Sequence, residues 1–131
     1  MKKTKSMKGI KMTAFILSTL FLITSFGCKK LNIEKELRID LGTSFQNDFV
    51  TIALDNNVVF ADSVTTNPIL GVAKVVVLNQ PIGNYTISVK VNGVEKADKF
   101  KHKKDRYIYV SFDKANADIT ISYPKEKSIY D

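Results

Sequence analysis

From residue 33 onward, apolar residues recur at every second position in short runs, and turn-forming residues separate the runs. Only a strand satisfies that period, because its successive side chains point to opposite faces. "LRIDL" (37 to 41) sets Leu37, Ile39 and Leu41 on one face and the charged Arg38 and Asp40 on the other. "FVTIAL" (49 to 54) and "VVFADSV" (58 to 64) flank "DNN" (55 to 57), a turn signal. "GVAKVVVL" (71 to 78) is apolar on both faces and is expected to be a central strand. "YTISVKV" (85 to 91) puts Tyr85, Ile87, Val89 and Val91 inward. Asn92-Gly93 predicts a type I′ hairpin, since both residues tolerate positive φ. Its return strand, "VEKADKF" (94 to 100), is charged like a sheet edge, and "RYIYVSF" (106 to 112) and "DITISY" (118 to 123) complete the set. The fold expected is all-β, an antiparallel β-sandwich of seven or eight strands, with an apolar N-terminal signal helix ahead of it.

The sandwich has to stand on its core. The chain of 131 residues has one cysteine, Cys28, so no internal disulfide can staple it. About 100 residues bury roughly two-thirds of their unfolded surface, which suffices without crosslinks. The formal net charge of +7 suggests a polyanion binder until it is located. Five lysines and no acids lie in residues 1 to 27, and the remainder carries 15 Lys and Arg against 13 acids. The body of the protein is therefore nearly neutral, and nucleic acid is not expected as a partner.

Residues 1 to 11, "MKKTKSMKGIK", are basic, and "MTAFILSTLFLITSFG" (12 to 27) is apolar and uncharged, in the order of a secretory signal peptide. At 16 residues the run falls short of the ~20 that cross a bilayer comfortably. "SFGCKK" (25 to 30) then resembles the lipobox of bacterial lipoproteins: Gly27 stands directly before Cys28 and Ser25 three before it, with Phe26 where small or aliphatic residues are usual. The resemblance implies lipidation of Cys28, removal of the leader before it, and a membrane as the first partner. Several acyl chains, each methylene contributing about 0.8 kcal/mol, would hold such a protein stably. It also implies a place in the cell envelope at the outer membrane, as in the short lipoproteins of Bacteroidetes. Lys29 and Lys30 do not match an acidic surface-export signal, so a periplasmic and a surface orientation both stay open. The expected organisation is leader 1 to 27, lipidated tether 28 to 36, sandwich 37 to 123 and tail 124 to 131.

"LNQPIGNYTISV" (78 to 89) carries a second resemblance, with Pro81 and Gly83 making a corner ahead of Tyr85. It is similar to the tyrosine corner of immunoglobulin-like and transthyretin-like sandwiches, whose hydroxyl bonds back to nearby backbone, and the resemblance implies an immunoglobulin-like sandwich.

Residues for catalysis are sparse, and no enzyme is expected. His102, the single histidine, lies in "KFKHKKDR" (99 to 106) and is expected to be a solvated loop residue rather than a general base. Zinc requires three or four ligands that the chain does not have, and no cofactor is implied. Asp55, Asp62 and Asp113 fall in turns or at strand ends, where aspartate serves the backbone. "DNNVVF" lacks the glycine and glutamate of a calcium loop. The candidate binding residues are Lys101, Lys103, Lys104 and Arg106, with Lys99 beside them and Tyr107 and Tyr109 following. If Ile108, Val110 and Phe112 face the core, the two tyrosines share the outer face, where they would suit a glycan or an envelope protein. Against this stands an ordinary solvated hairpin loop. Ser63, in "DSV" (62 to 64), resembles a bacterial O-glycosylation sequon. Two functions are expected: a non-enzymatic binding or accessory module, or a structural subunit pairing through an exposed strand edge.

Overall fold

The computed structural model describes residues 33 to 130, and the signal helix, the lipobox and Cys28 lie outside the described residues. Eight strands make up the described part: β1 (Glu34–Leu41), β2 (Asp48–Leu54), β3 (Asn57–Val64), β4 (Lys74–Pro81), β5 (Gly83–Val91), β6 (Val94–His102), β7 (Arg106–Asp113) and β8 (Asp118–Ser122). One sheet has the order β4-β1-β7-β8 and the other β3-β2-β5-β6. All neighbours are antiparallel except β1 and β7, which run parallel with Leu37 opposite Arg106.

Local chemistry sets the hairpins. Asp55 and Asn56 (φ 48° and 68°) turn β2 into β3, and Asn92 and Gly93 (φ 48° and 83°) turn β5 into β6. Two successive positive φ values match the right-handed twist of the strands they join. At the corner before β5, the Tyr85 hydroxyl donates to the Pro81 carbonyl, as the sequence resemblance implied.

The inward residues of each strand form one core. Leu37, Ile39, Leu41, Val50, Ile52, Ile87, Val89, Val91, Ile108, Val110 and Ile119 are at most 1% exposed. Among the described residues, the seventeen core residues all fall between positions 37 and 119.

Two strand expectations need correction. The "GVAKVVVL" strand, expected to be central, is β4 at a sheet edge, with Val77 54% exposed. Apolarity on both faces reports the layers above and below a strand, not its neighbours within the sheet. β1 and β7 take the central places, and on β1 the outward Arg38 and Asp40 are covered and almost fully buried. The cover is the C-terminal segment. Arg38 Nε donates to Asp40 at 2.9 Å, its Nη2 donates to the Ser128 carbonyl at 3.0 Å, and the Tyr130 hydroxyl donates to Asp40 at 2.9 Å. The Arg38 guanidinium also lies 5.8 Å from the Tyr130 ring centre. β1 begins at Glu34 and takes in the last three residues of the segment read as tether, because Glu34 to Glu36 pair with the end of β4.

Candidate binding surface

The β6–β7 connection presents the cations. Phe100 and His102 turn inward on β6, so Lys99 and Lys101 turn outward, and Lys103 and Lys104 follow in the exposed loop. Arg106 opens β7 in the same inward parity as Ile108 and Val110. At the open end of the sandwich its guanidinium reaches over the Tyr123 ring, 5.1 Å from the centre. Lys101, Lys103, Lys104 and Arg106 line a recess of 360 Å³. Lys99 and Lys101 border a second, shallower depression of 460 Å³ over Asn84 and Thr86 on β5.

None of these five cations forms an ion pair with a described residue; the ion pairs are Arg38–Asp40, Lys96–Asp118 and Lys114–Asp48. The Arg106 Nε is buried without a hydrogen-bond partner among the described residues. A recess lined by cations that pair with no described residue is suited to an anionic group, since charge-assisted bonds to carboxylate or phosphate are the strong ones.

The tyrosines do not join this recess. Tyr107 and Tyr109 face outward from β7 as expected, but half-buried, in register with Arg38 and Asp40 of β1. Lys99 and Lys101 face outward from the other sheet. The sequence cluster is thus divided between the two layers, because the chain crosses from one sheet to the other between β6 and β7. Ser63 sits exposed on β3, opposite Phe49, and its N–H bonds to the Asp62 carboxylate at 2.7 Å.

His102 is not a solvated loop residue. It is fully buried at the end of β6, with Nε2 3.2 Å from both the Lys35 and the Gln80 carbonyl oxygens. Two carbonyl acceptors require a proton on Nε2. The imidazole thereby ties β6 to β1 and β4 of the opposite sheet, and its Nδ1 meets no partner among the described residues. Extending the alternation two positions beyond Phe100 would have placed His102 inward.

An aromatic cluster surrounds it that sequence reasoning missed. Phe100 stacks on Tyr85 (5.8 Å) and meets Tyr123 (6.0 Å), and the His102 ring lies edge-on to Tyr85 (6.1 Å). Tyr123 donates its hydroxyl to Asp98. Burial, then the bond and charge of Asp98, push that phenol well above its ordinary value. The cluster closes the sandwich end beneath the recess. Among the described residues no group of three or more His, Cys, Asp or Glu side chains could hold a metal ion. No known family model matches the chain, and no curated protein is significantly similar to it.

Proposed function

We propose that the protein is a lipid-anchored lipoprotein of the bacterial cell envelope, at the outer membrane, that acts as a non-enzymatic binding or accessory module. Its binding surface is the recess of Lys101, Lys103, Lys104 and Arg106. One observation carries this reading: four cations that form no ion pair with a described residue line a single recess. They do so in a chain segment, 33 to 131, whose thirteen Lys and Arg are matched by thirteen acids, so the remainder of it is net acidic. The ligand class is an anionic group on a glycan, peptide or envelope protein. Cys28 anchors the chain through its lipid, and Ser63 is the glycosylation candidate, exposed as that role requires. Of the two sandwich types with a tyrosine corner, the transthyretin-like one is favoured. Immunoglobulin domains keep their first two strands in one sheet, whereas β1 and β2 lie in different sheets here.

A second reading rests on β4. Its run Val75 to Gln80 has no charge, its outer edge is unpaired among the described residues, and Val77 is 54% exposed. Such an edge accepts a strand from a partner, which is how a structural subunit would assemble.

A pull-down from native membranes, read by mass spectrometry, tests both. The first reading expects a diacylglyceryl-modified Cys28 and a partner lost on Lys103→Gln with Lys104→Gln. The second expects a partner that survives those changes and is lost on Val77→Lys. Continued membrane retention after Cys28→Ser overturns the anchor.

A further inference from the structure

The recess lies at one pole of the sandwich, and the first described residues lie at the same pole. β1 starts there at Glu34, opposite Pro81, and the Ile82 N–H donates to the Ile33 carbonyl at 2.9 Å. The β6–β7 loop is fastened to this entry point. The Asp105 carboxylate accepts the Glu36 N–H at 3.0 Å, and His102 holds the Lys35 carbonyl at 3.2 Å. Ile33 and Ile82, 50% and 40% exposed, therefore lie at the same end as Lys101, Lys103 and Lys104, Gly83 being in register with His102. Large apolar side chains beside a ring of cations suit a bilayer interface, where the former enter the headgroup region and the latter meet its charge.

The charge distribution points the same way. From residue 33 to 131 the chain carries thirteen Lys and Arg against thirteen acids. Residues 99 to 106 hold five of those cations and one acid, which leaves eight cations against twelve acids elsewhere. A neutral domain with this asymmetry turns its cationic end to an anionic surface and the rest away. Glu34, Glu36 and Asp105 are the acids at that end, and Asp105 is occupied by the Glu36 N–H.

We infer that this pole is a seat for an anionic phospholipid surface, with Ile33 and Ile82 in the interface and Lys101, Lys103 and Lys104 against the headgroups. The inference rests on the recess being the binding surface and names the membrane as its partner. Seated so, the protein presents its outer sheet faces and the β4 edge sideways and holds the opposite pole away from the bilayer.

The test uses the chain from residue 28 with Cys28→Ser, which keeps the whole core but has no lipid. Its sedimentation with phosphatidylcholine vesicles, with and without phosphatidylglycerol, is compared with its retention on soluble heparin. Binding to the anionic vesicles alone is expected. Each lysine at an anionic surface corresponds to about a fivefold change, so Lys103→Gln with Lys104→Gln lowers the partition coefficient by roughly 25-fold. Ile33→Ser with Ile82→Ser lowers it too, whereas Lys74→Gln with Lys90→Gln, toward the far pole, leaves it unchanged. Equal binding to neutral and anionic vesicles, or no effect of the isoleucine pair, overturns the inference. Heparin retention that needs Lys103 and Lys104, with no vesicle binding, overturns the membrane seat alone and keeps the recess as a binding surface. Loss of both overturns the two together.

Discussion

Gly42→Ala should destabilise this protein for one identifiable reason. Gly42 is buried just past the end of β1, and its N–H donates to the Val110 carbonyl at 2.7 Å. A Cβ added there would lie 2.6 Å from Cε2 of Tyr109 and nearer still to its Cζ and hydroxyl oxygen. Carbon atoms in contact sit about 3.5–4.0 Å apart, so the ring would have to withdraw by about 1.3 Å or more. Tyr109 is flanked in register by Asp40 and Ser122, and overpacking at such a site costs about 1–3 kcal/mol. The backbone itself makes no demand for glycine, because Gly42 is not among the residues with positive φ. With Tyr109→Ala in place, the same substitution should therefore change sign and stabilise by about 0.4–1 kcal/mol, through the lower entropy of the unfolded chain. Urea unfolding of the wild type, both single variants and the double variant would measure a coupling of at least about 1.4 kcal/mol. An equal cost of Gly42→Ala in both backgrounds refutes the role assigned to the tyrosine ring.

Two further outcomes are expected. Asp48 is buried and accepts the Gln46 N–H at 2.8 Å, the Asn92 side-chain amide and the Lys114 ammonium at 3.2 Å. Burial pushes its carboxyl up, but these bonds and the Lys114 charge outweigh it and hold the group below the ordinary 3.8. Asp48→Asn should cost about 2 kcal/mol at neutral pH, because it removes a charged acceptor from three donors. A depressed carboxyl stabilises fully above its unfolded value and loses that contribution as pH falls through its folded value, so wild type and variant should converge below about pH 4. A constant gap in urea midpoints down into acid would contradict this. Tyr130→Phe removes a hydroxyl bond to the Asp40 carboxylate, worth about 1.5 kcal/mol for a charged acceptor. Tryptic cleavage after Lys125 and Lys127 should then rise about tenfold, and an unchanged rate would show that the C-terminal segment is held by something else.

Much of the sandwich is legible in the sequence. The alternation of Leu37, Ile39 and Leu41, and of Ile108, Val110 and Phe112, is steric, since the pleat sends every second side chain to the same face. Asn92-Gly93 and Asp55-Asn56 declare their turns because few residues tolerate consecutive positive φ. The Tyr85 corner is equally local, with hydroxyl and carbonyl only four residues apart. The candidate surface is legible only as a list of cations. That Lys101 and Lys103 share a recess with Arg106, while Tyr107 and Tyr109 face out from another sheet, depends on where the chain changes layers.

By itself, then, the sequence determined which residues form strands, which face of each strand is buried and where the chain turns back, because these follow from sterics over two to four residues. Only the tertiary structure decided the neighbours. It placed β4 at an edge, carried His102 inside against the Lys35 and Gln80 carbonyls, and buried Arg38 and Asp40 under Ser128 and Tyr130, ninety residues away in the chain. A charged or aromatic side chain has no fixed preference for inside or outside. Its burial becomes favourable only when a partner arrives to satisfy it, and that partner is supplied by the fold.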